Sequence, residues 1–274
     1  MTDTALLQLS QHLATVAAAA VRQVGPILAD AFGPTIKATD KTGFRDLVTE
    51  YDHRSEELIF EHIFRHYPDS AVVGEESGAH GSGAVQWFVD PLDGTTNFAA
   101  GIPFFGVSIG AALNNQMLAG VIFDPLRREL FSASLAGAYV NGRPIRVSPT
   151  AAPANAVLLT DFPYSEQTTL PNDAEFFHRL VKNFGSVRRL GSVALELAYV
   201  ACGRVDVAFS ALAKTWDVAA GSLLVRQAGG QFIPLENLHR RFQPPVWPTP
   251  FFIAANSQLN VEATMLAELL VNTP

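Results

Sequence analysis

Cysteine is almost absent from this chain. A single cysteine, Cys202, stands among 274 residues, which excludes an internal disulfide framework and a cysteine-rich zinc site and predicts a protein of the reducing cytoplasm. Basic residues are also few: 19 lysines and arginines stand against 26 aspartates and glutamates, for a net charge of −7. Because surfaces that bind nucleic acid are usually basic, this balance argues against a general nucleic-acid-binding protein.

Long apolar runs and targeting signals are missing as well. No stretch reaches the roughly 20 consecutive apolar residues of a membrane span, and Met1–Leu9 has no lysine or arginine, unlike the start of a signal peptide. We therefore expect neither. The alanine-rich run Ala14–Val21 predicts the buried face of a helix instead. Hydrophobic residues make up 48% of the chain, which is ample for a sizeable core.

Residues 1–150 are predicted to form two long helices on a largely antiparallel sheet. Apolar residues recur at helical spacing through Leu6–Phe32, and a second helix is predicted from Asp52 to about His66. Asn141-Gly142 predicts a hairpin turn. The strands predicted in this half are Ala71–Val73, Gln86–Val89, Gly106–Ala112, Met117–Phe123 and Glu129–Ser134.

Residues 151–274 are predicted to be the second half of the same compact unit. Strands and helices alternate beyond the proline- and alanine-rich junction Ser148–Ala156, which predicts an α/β layered arrangement. The predicted helices are Asn172–Phe184, Val193–Ala201, Trp216–Ala228 and Val261–Leu270. The predicted strands are Val157–Thr160, Ser186–Arg189, Val205–Phe209, Gln231–Ile233 and Phe251–Ala255.

Four acidic residues fall at the ends of predicted strands or at the start of a predicted helix. They are Glu75, Asp90, Asp93 and Asp217. Such positions converge easily in a cleft, where the carboxylates would repel one another unless cations were bound. Hard divalent cations such as Mg²⁺ take oxygen ligands. Asp90 could bridge two ions, with the Leu92 carbonyl reaching one of them, as in two-metal sites that act on phosphate esters.

The segment Asp93-Gly94-Thr95-Thr96 adds groups that suit a phosphate. Gly94 lets the backbone approach a ligand closely, and a short helix starting at Thr95 would offer free N–H groups to an anion. The Thr95 hydroxyl is placed to orient an attacking water. Taken singly, Asp-Gly is usually a turn, Glu75-Glu76 a solvated pair and Asp217 a helix cap. Their combination indicates a site.

These residues resemble the inositol monophosphatase family. The run from Asp90 to Phe98 resembles its first signature, and Trp216–Gly221 resembles its second. Gly74-Glu75-Glu76-Ser77 and the run from Asp46 to Asp52 match in the same order and approximate spacing. The resemblance extends from about Lys41 to Ala255. It implies a layered α-β-α-β-α sandwich, usually a homodimer, with Mg²⁺-dependent and lithium-sensitive phosphatase activity.

The resemblance also implies roles for individual residues. Glu75, Asp90 and the Leu92 carbonyl resemble the ligands of a first Mg²⁺, and Asp90, Asp93 and Asp217 those of a second; Glu75 would also hold a third, weaker ion. Glu75 and Thr95 would orient the attacking, metal-activated water, with Asp52 hydrogen-bonded to Thr95. The residues expected to contact the substrate are Asp93, Gly94, Thr95, Gly191, Ser192, Ser210 and Asp217.

Three neighbouring groups have less specific roles by the same resemblance. Lys41 matches a basic residue near the metal site, and Glu76 a supporting residue. Arg188 and Arg189 lie where relatives build part of the substrate wall and dimer region, although an exposed basic pair explains them equally well.

One position departs from the family pattern. Inositol-specific members carry a glutamate seven residues before the second-motif aspartate, and here that residue is Ser210. We therefore expect weaker discrimination among polyol phosphates, with inositol 1-phosphate as the family default. Histidinol phosphate, fructose 1,6-bisphosphate and a 3′-phosphoadenosine nucleotide are the alternative substrates. A regulatory protein that keeps the fold and binds RNA polymerase is the alternative outside enzymology; the intact carboxylate set argues against a purely non-catalytic role.

Overall fold

Two β-sheets with helices between them and on both outer faces form the frame of the molecule. The computed structural model describes residues 2–33, 36, 38–40, 47–163, 173–236, 248 and 250–271. Within these ranges one sheet has eight strands, the second has five, and a two-stranded ribbon precedes them. Lys41 lies outside the described residues, so its expected place near the metal site stays a prediction.

The first layer consists of helices α1 (Asp3–Ala31) and α2 (Glu50–His66), joined through the ribbon of β1 (Thr39–Asp40) and β2 (Leu47–Val48). Both helices begin at a threonine cap. Thr2 accepts from the Ala5 N–H at 3.3 Å, and Thr49 accepts from the Tyr51 N–H at 3.2 Å. The second helix therefore starts two residues earlier than predicted.

Helix α1 is a core helix, although it is long and apolar enough, by length and composition alone, to cross a membrane. Core helices of soluble proteins have the same length and apolar composition, so this measure does not overturn the expectation that no segment spans a membrane. Its inner face packs in the core through Leu13, Val21 and Leu28. The Ser10 hydroxyl also donates to the Leu118 carbonyl at 2.7 Å.

The larger sheet contains every strand predicted in the first half. Its strands are β3 (Ser70–Gly74), β4 (Gly78–Gly81), β5 (Val85–Asp93), β6 (Gly106–Leu113), β7 (Gln116–Asp124), β8 (Glu129–Ser134), β9 (Gly137–Val140) and β10 (Arg143–Pro144). Their order is β10-β9-β8-β7-β6-β5-β3-β4, and only β3 and β5 pair in parallel. Strand β4 escaped prediction because its sequence, Gly-Ala-His-Gly, lacks β-branched residues. Helix α3 (Thr95–Ala100) follows β5.

The smaller sheet belongs to the second half. Its strands are β11 (Val157–Thr160), β12 (Ser186–Arg188), β13 (Val207–Ser210), β14 (Gln231–Pro234) and β15 (Phe252–Ala255), in the order β12-β11-β13-β15-β14. The helices described in the second half of the chain are α4 (Asp173–Asn183), α5 (Val193–Ala201), α6 (Thr215–Gln227) and α7 (Ala267–Val271). These bounds agree with the predicted elements to within about two residues, except at the C-terminus.

The predicted C-terminal helix Val261–Leu270 is wrong in part. A 3₁₀ turn at Val261–Ala263 and the separate helix α7 replace it. Thr264, between them, is extended at φ −99° and ψ 167°. Its hydroxyl donates to the Val261 carbonyl at 2.8 Å and accepts from the Leu266 N–H at 3.1 Å. These side-chain bonds satisfy backbone groups that a continuous helix would have paired.

The packing gives the five layers that the family resemblance implied. Helices α1 and α2 cover one face of the larger sheet. Helices α5 and α6 lie between the two sheets and share one hydrophobic cluster with both. Helices α4 and α7 cover the far face of the smaller sheet. The chain is thus an α-β-α-β-α sandwich, and the first turns of α5 and α6 lie close to the end of β5.

Candidate active site

One cavity of about 220 Å³ brings together most of the residues singled out in the sequence. Its lining residues are Glu75, Asp90, Leu92, Asp93, Gly94, Thr95, Thr96, Gly191, Lys214 and Asp217. All five predicted metal ligands are among them. Larger cavities of about 390 and 340 Å³ elsewhere in the described chain contain none of the predicted site residues. Chemistry, rather than size, therefore singles out this cavity.

The end of β5 supplies the largest share of the lining because the strand is irregular there. Its pairing with β6 shifts register between Asp90 and Asp93, since Pro91 has no N–H to donate. The Leu92 N–H donates to Asp90 Oδ1 at 3.0 Å, which closes a local turn. Gly94 follows in the left-handed region at φ 92° and starts α3. The irregularity lets Asp90, Asp93 and the Leu92 main chain border the same cavity.

Asp93 ties β5 to the beginning of α5. Its Oδ2 accepts from the Ser192 hydroxyl at 2.5 Å and from the Ala194 N–H at 2.7 Å. Ser192 also caps α5 by accepting from the Leu195 N–H. Ser192, predicted to contact substrate, is buried and lies outside the cavity lining. Its observed contact is with the carboxylate of Asp93.

Asp217 reaches the cavity from the first turn of α6. Its Oδ2 accepts from the Lys214 N–H at 2.7 Å, which caps the helix. The sequence predicted only the aspartate, but Lys214 also lines the cavity. Its position three residues before Asp217, the separation of a helix cap from its acceptor, is the signal that could have identified it.

The acids of the cavity lie close enough to oppose one another's ionisation. Burial raises the pKa of Asp90 well above its ordinary value, and the charges of Glu75, Asp93 and Asp217 raise it further. Burial likewise raises the pKa of Asp217 well above its ordinary value, followed by the charges of Asp93 and Glu75. Burial raises the pKa of Asp93 to about 6, although Ser192 and nearby backbone N–H groups act to lower it. Bound cations would offset the repulsion between these carboxylates.

The donor set fits Mg²⁺. Every candidate ligand is a carboxylate or carbonyl oxygen, which is the preference of a hard divalent cation. Among the residues that the structure describes, no three acidic, histidine or cysteine side chains converge tightly enough to make a complete metal site by themselves. Mg²⁺ tolerates such a site, because it commonly keeps several waters and binds through one or two carboxylates together with phosphate oxygens.

Asp52 joins helix α2 to the cavity wall. Its Oδ1 lies 2.9 Å from the Thr95 hydroxyl, while Oδ2 accepts from the Thr49 N–H at 2.8 Å and from the Thr49 hydroxyl at 2.5 Å. Burial raises the pKa of Asp52, and the hydrogen bonds from Thr49 and Thr95 counteract the rise. The contact between Asp52 and Thr95 expected from the resemblance is present in the geometry. The Thr95 hydroxyl also lies 2.9 Å from the Leu92 carbonyl.

Two buried polar residues near the cavity were missed by sequence reasoning. Asn97 Nδ2 donates to the carbonyls of Phe104 and Leu190, each at 2.7 Å, and so fixes the loop that carries Gly191. Glu196 lies inside α5, where burial and then the charges of Asp161 and Asp93 raise its pKa well above the ordinary value. Asn97 belongs to the first signature, and Glu196 is the single charged residue in the otherwise apolar helix α5. These are the signals that could have identified them.

Ser210 lies apart from the cavity lining. It is 1% exposed, its hydroxyl donates to Asp161 Oδ2 at 2.6 Å, and its oxygen accepts from the Ala213 N–H at 3.0 Å. Arg188 and Arg189 are exposed and also lie outside the lining. The substrate contacts expected of these residues stay predictions.

The fold and this cavity define a class of protein: a layered α/β scaffold with a carboxylate-lined cavity at a strand end. Residues 9–273 match the inositol monophosphatase family, and the chain belongs to that family.

Relatives of this chain bear two kinds of name. A protein named Nus factor SuhB from Pasteurella multocida is 42% identical over 224 residues, covering 78% of this chain and 82% of the relative. An inositol-1-monophosphatase from Synechocystis sp. is also 42% identical over 218 residues, covering 78% and 76%. The solved inositol monophosphatase from Anabaena (Nostoc) sp. superposes with a TM-score of 0.80 at 35% identity, covering 96% of this chain and 97% of that one.

Proposed function

We propose that this chain is a Mg²⁺-dependent phosphomonoesterase that hydrolyses a small polyol or sugar phosphate, with inositol 1-phosphate as the leading substrate. The observation that carries the proposal is the single cavity that Glu75, Asp90, Asp93 and Asp217 line together with Thr95. Membership of the inositol monophosphatase family supports phosphatase chemistry.

The residues that would hold Mg²⁺ are those of the cavity wall. Glu75, Asp90 and the Leu92 carbonyl would hold one ion, and Asp90, Asp93 and Asp217 a second, with Glu75 also serving a weaker third. When bound, the ions supply positive charge for the phosphate and activate water as a nucleophile. Burial and the neighbouring carboxylates raise the pKa of Asp90 and of Asp217, so that ionising both groups is unfavourable in the protein alone. Adjacent cations would favour the ionised forms, which supports the assignment of these residues as metal ligands.

Thr95 and Asp52 would orient the attacking water. With its proton directed to Asp52 Oδ1 at 2.9 Å, the Thr95 hydroxyl keeps its oxygen lone pairs free to accept a hydrogen bond from water. Glu75, on the same cavity wall, would accept a second hydrogen bond from that water and take up its proton. A water held in this way would attack phosphorus in line while the ester P–O bond on the opposite side breaks. The departing alkoxide would take a proton from solvent water and leave as the alcohol, and no side chain becomes phosphorylated.

The main chain at the start of α3 would bind the phosphate oxygens. The N–H groups of a first helical turn have no partners within their own helix, and the Gly94 and Thr95 amides stand at this position beside the cavity. Two features require glycine at position 94. Its φ is positive, and a Cβ there would lie 3.1 Å from the Phe104 carbonyl oxygen. Lys214, the residue directly before α6, lines the same cavity and would add a positive charge for the anion.

A phosphate-release screen with purified protein tests this function. The panel contains inositol 1-phosphate, glycerol 2-phosphate, histidinol phosphate, fructose 1,6-bisphosphate and a 3′-phosphoadenosine nucleotide, each with Mg²⁺ and with excess chelator. We expect chelation to abolish release, Mg²⁺ to restore it and Li⁺ to inhibit it. Asp90→Asn, purified identically, reveals any contaminating phosphatase. Full activity in excess chelator would contradict the metal-dependent mechanism.

A second candidate function follows from the relatives named Nus factor SuhB, which include proteins from Pasteurella multocida and Escherichia coli. We propose that an association with RNA polymerase can coexist with catalysis, because the carboxylate set of the cavity is intact in this chain. Co-elution of the purified protein with RNA polymerase in gel filtration tests it. Co-elution that survives Asp90→Asn would separate this role from phosphatase activity.

The proposed assembly is a cytoplasmic homodimer. The homodimer rests on the family resemblance. The cytoplasmic location rests on the single, half-buried cysteine, which fits a reducing compartment. Sedimentation equilibrium would give twice the 29.5 kDa mass of the chain, and a species of one chain mass at micromolar concentration would contradict the dimer.

A further inference from the structure

Helix α2 holds a second buried carboxylate on the face that carries Asp52. Glu56 follows Asp52 by four residues, which places the two side chains one above the other on the same side of the helix. Glu56 is 3% exposed and Asp52 is fully buried. Asp52 reaches Thr95 on one side of the cavity, and Glu56 reaches the chain that follows β3.

The Glu56 carboxylate accepts hydrogen bonds from the two backbone N–H groups directly after Glu75. Its Oε2 accepts from the Glu76 N–H at 2.9 Å, and its Oε1 accepts from the Ser77 N–H at 2.8 Å. Glu75 itself donates its N–H to the Val89 carbonyl of β5 at 3.2 Å. The backbone of Glu75 is therefore fixed from both directions, next to the strand that carries Asp90.

The contact with α2 is close enough to exclude a side chain at the end of β3. A Cβ on Gly74 would lie 2.2 Å from Glu56 Oε2 and 2.6 Å from the Phe60 ring. Glycine at this position lets the turn that carries Glu75 rest directly on the Glu56 carboxylate. The close packing of the end of β3 on α2 therefore places the Glu76 and Ser77 N–H groups within hydrogen-bond distance of Glu56.

We propose that Glu56 is a positioning residue that sets where the Glu75 carboxylate stands in the cavity. Helix α2 then holds two parts of the site at once, Thr95 through Asp52 and Glu75 through Glu56, and fixes their separation. This inference rests on the proposed function, since it assigns Glu75 a place in the Mg²⁺ site. It predicts that Glu56 governs Mg²⁺ affinity and turnover without touching the substrate.

Glu56→Gln tests the inference because the amide has the size of the carboxylate but only one acceptor oxygen for two N–H donors. Side chains that support metal ligands typically change metal affinity or activity about 10–100-fold when mutated. We expect the Mg²⁺ concentration at half-maximal rise in Tm to increase at least about tenfold on that basis. We also expect kcat to fall at saturating Mg²⁺ while KM for the substrate stays within about twofold, since substrate contacts are untouched.

Two control variants separate this role from plain destabilisation. Glu57→Gln removes the same charge at the next, exposed position of α2. Ser10→Ala removes a side chain that likewise joins a helix to two backbone groups, the Leu118 carbonyl and the Leu135 N–H, away from the cavity. Both should leave the Mg²⁺ midpoint of the Tm rise unchanged, although Ser10→Ala lowers Tm itself.

The outcomes are distinguishable. A wild-type Tm that rises with Mg²⁺ and a Glu56→Gln midpoint equal to that of Ser10→Ala would overturn the role of Glu56 and leave the proposed function standing. A wild-type Tm that ignores Mg²⁺ would overturn both. If Glu56→Gln does not fold, Glu56→Asp, which keeps both acceptors on a stem shorter by one methylene, is measured with the same expected result and the same contrary one.

Discussion

Thr95 is the residue whose hydroxyl should matter most to turnover. Thr95→Ala removes the group that lies 2.9 Å from Asp52 Oδ1 and that is proposed to orient the attacking water. We expect kcat to fall by roughly 10²–10⁴-fold, the usual contribution of a positioned acid–base group. The Mg²⁺ midpoint of the Tm rise should change little, because the hydroxyl is not among the proposed ligands.

Thr15→Ala is the control for this measurement, because it trims an exposed threonine hydroxyl from α1, outside the cavity lining. A Thr95→Ala enzyme with wild-type kcat would remove the proposed orienting role. A large rise in the Mg²⁺ midpoint, with kcat restored by excess Mg²⁺, would instead assign Thr95 to the metal site.

Ser210 raises a question of specificity that its surroundings sharpen. A glutamate here should accept hydrogen bonds from substrate hydroxyls, but Ser210 is 1% exposed and bonded to Asp161. Ser210→Glu alone would place two carboxylates side by side, so we expect it to lower Tm. Ser210→Glu combined with Asp161→Asn removes that repulsion. For the pair we expect about a tenfold gain in the kcat/KM ratio of inositol 1-phosphate over glycerol 2-phosphate, worth about 1.4 kcal/mol.

Asp161→Asn alone is the control for the paired variant, since it changes the same neighbour without adding a carboxylate. A ratio that is equal in wild type, Asp161→Asn and the pair would show that position 210 does not contact the substrate.

At the scale of elements, the first turn of α5 supports the metal site by bonding Asp93. Ser192→Ala removes the 2.5 Å hydrogen bond to Asp93 and the cap of α5 together. Loss of a helix cap typically costs about 1 kcal/mol, which lowers the Tm of a chain this size by about 2–4 °C. We expect this fall in differential scanning calorimetry, together with a higher Mg²⁺ midpoint.

Ser222→Ala is the matched control for Ser192→Ala. Ser222 is a buried serine of α6 whose hydroxyl donates within its own helix, to the Ala219 carbonyl at 2.8 Å. If Ser192→Ala lowers Tm but leaves the Mg²⁺ midpoint at the wild-type value, the bond to Asp93 is structural only.

At the scale of the whole molecule, Mg²⁺ should stabilise the fold. The cavity joins elements from both halves of the chain, β5 and α3 from the first and α6 from the second. A ligand that binds only the native state at a hundredfold excess over its Kd stabilises by about 2.7 kcal/mol. We therefore expect Tm to rise by several degrees with Mg²⁺ and to fall again with chelator.

Asp217→Asn should reduce this rise in Tm. It removes one carboxylate charge, while the amide oxygen can still accept from the Lys214 N–H that caps α6. Asp30→Asn, at an exposed position of α1, is the charge-matched control and should respond like wild type. An equal rise in Asp217→Asn and wild type would exclude Asp217 from the metal site.

The sequence by itself determined most of the elements and the carboxylate character of the cavity. Helical periodicity predicted α1, the turn pair Asn141-Gly142 predicted the β9–β10 hairpin, and the acids at strand ends predicted where oxygen ligands gather. Such features depend on residues a few positions apart. A helix, a turn or a short motif is therefore legible without knowledge of the rest of the chain.

The tertiary structure alone decided which distant residues touch. Asp52 and Thr95 are 43 positions apart and yet hydrogen-bonded. Glu56 looks in the sequence like any polar residue of α2. Its partners, the Glu76 and Ser77 N–H groups, were set when α2 packed against the end of β3, because a buried polar group is normally paired with whatever donor or acceptor the packed chain supplies. No local pattern records that choice.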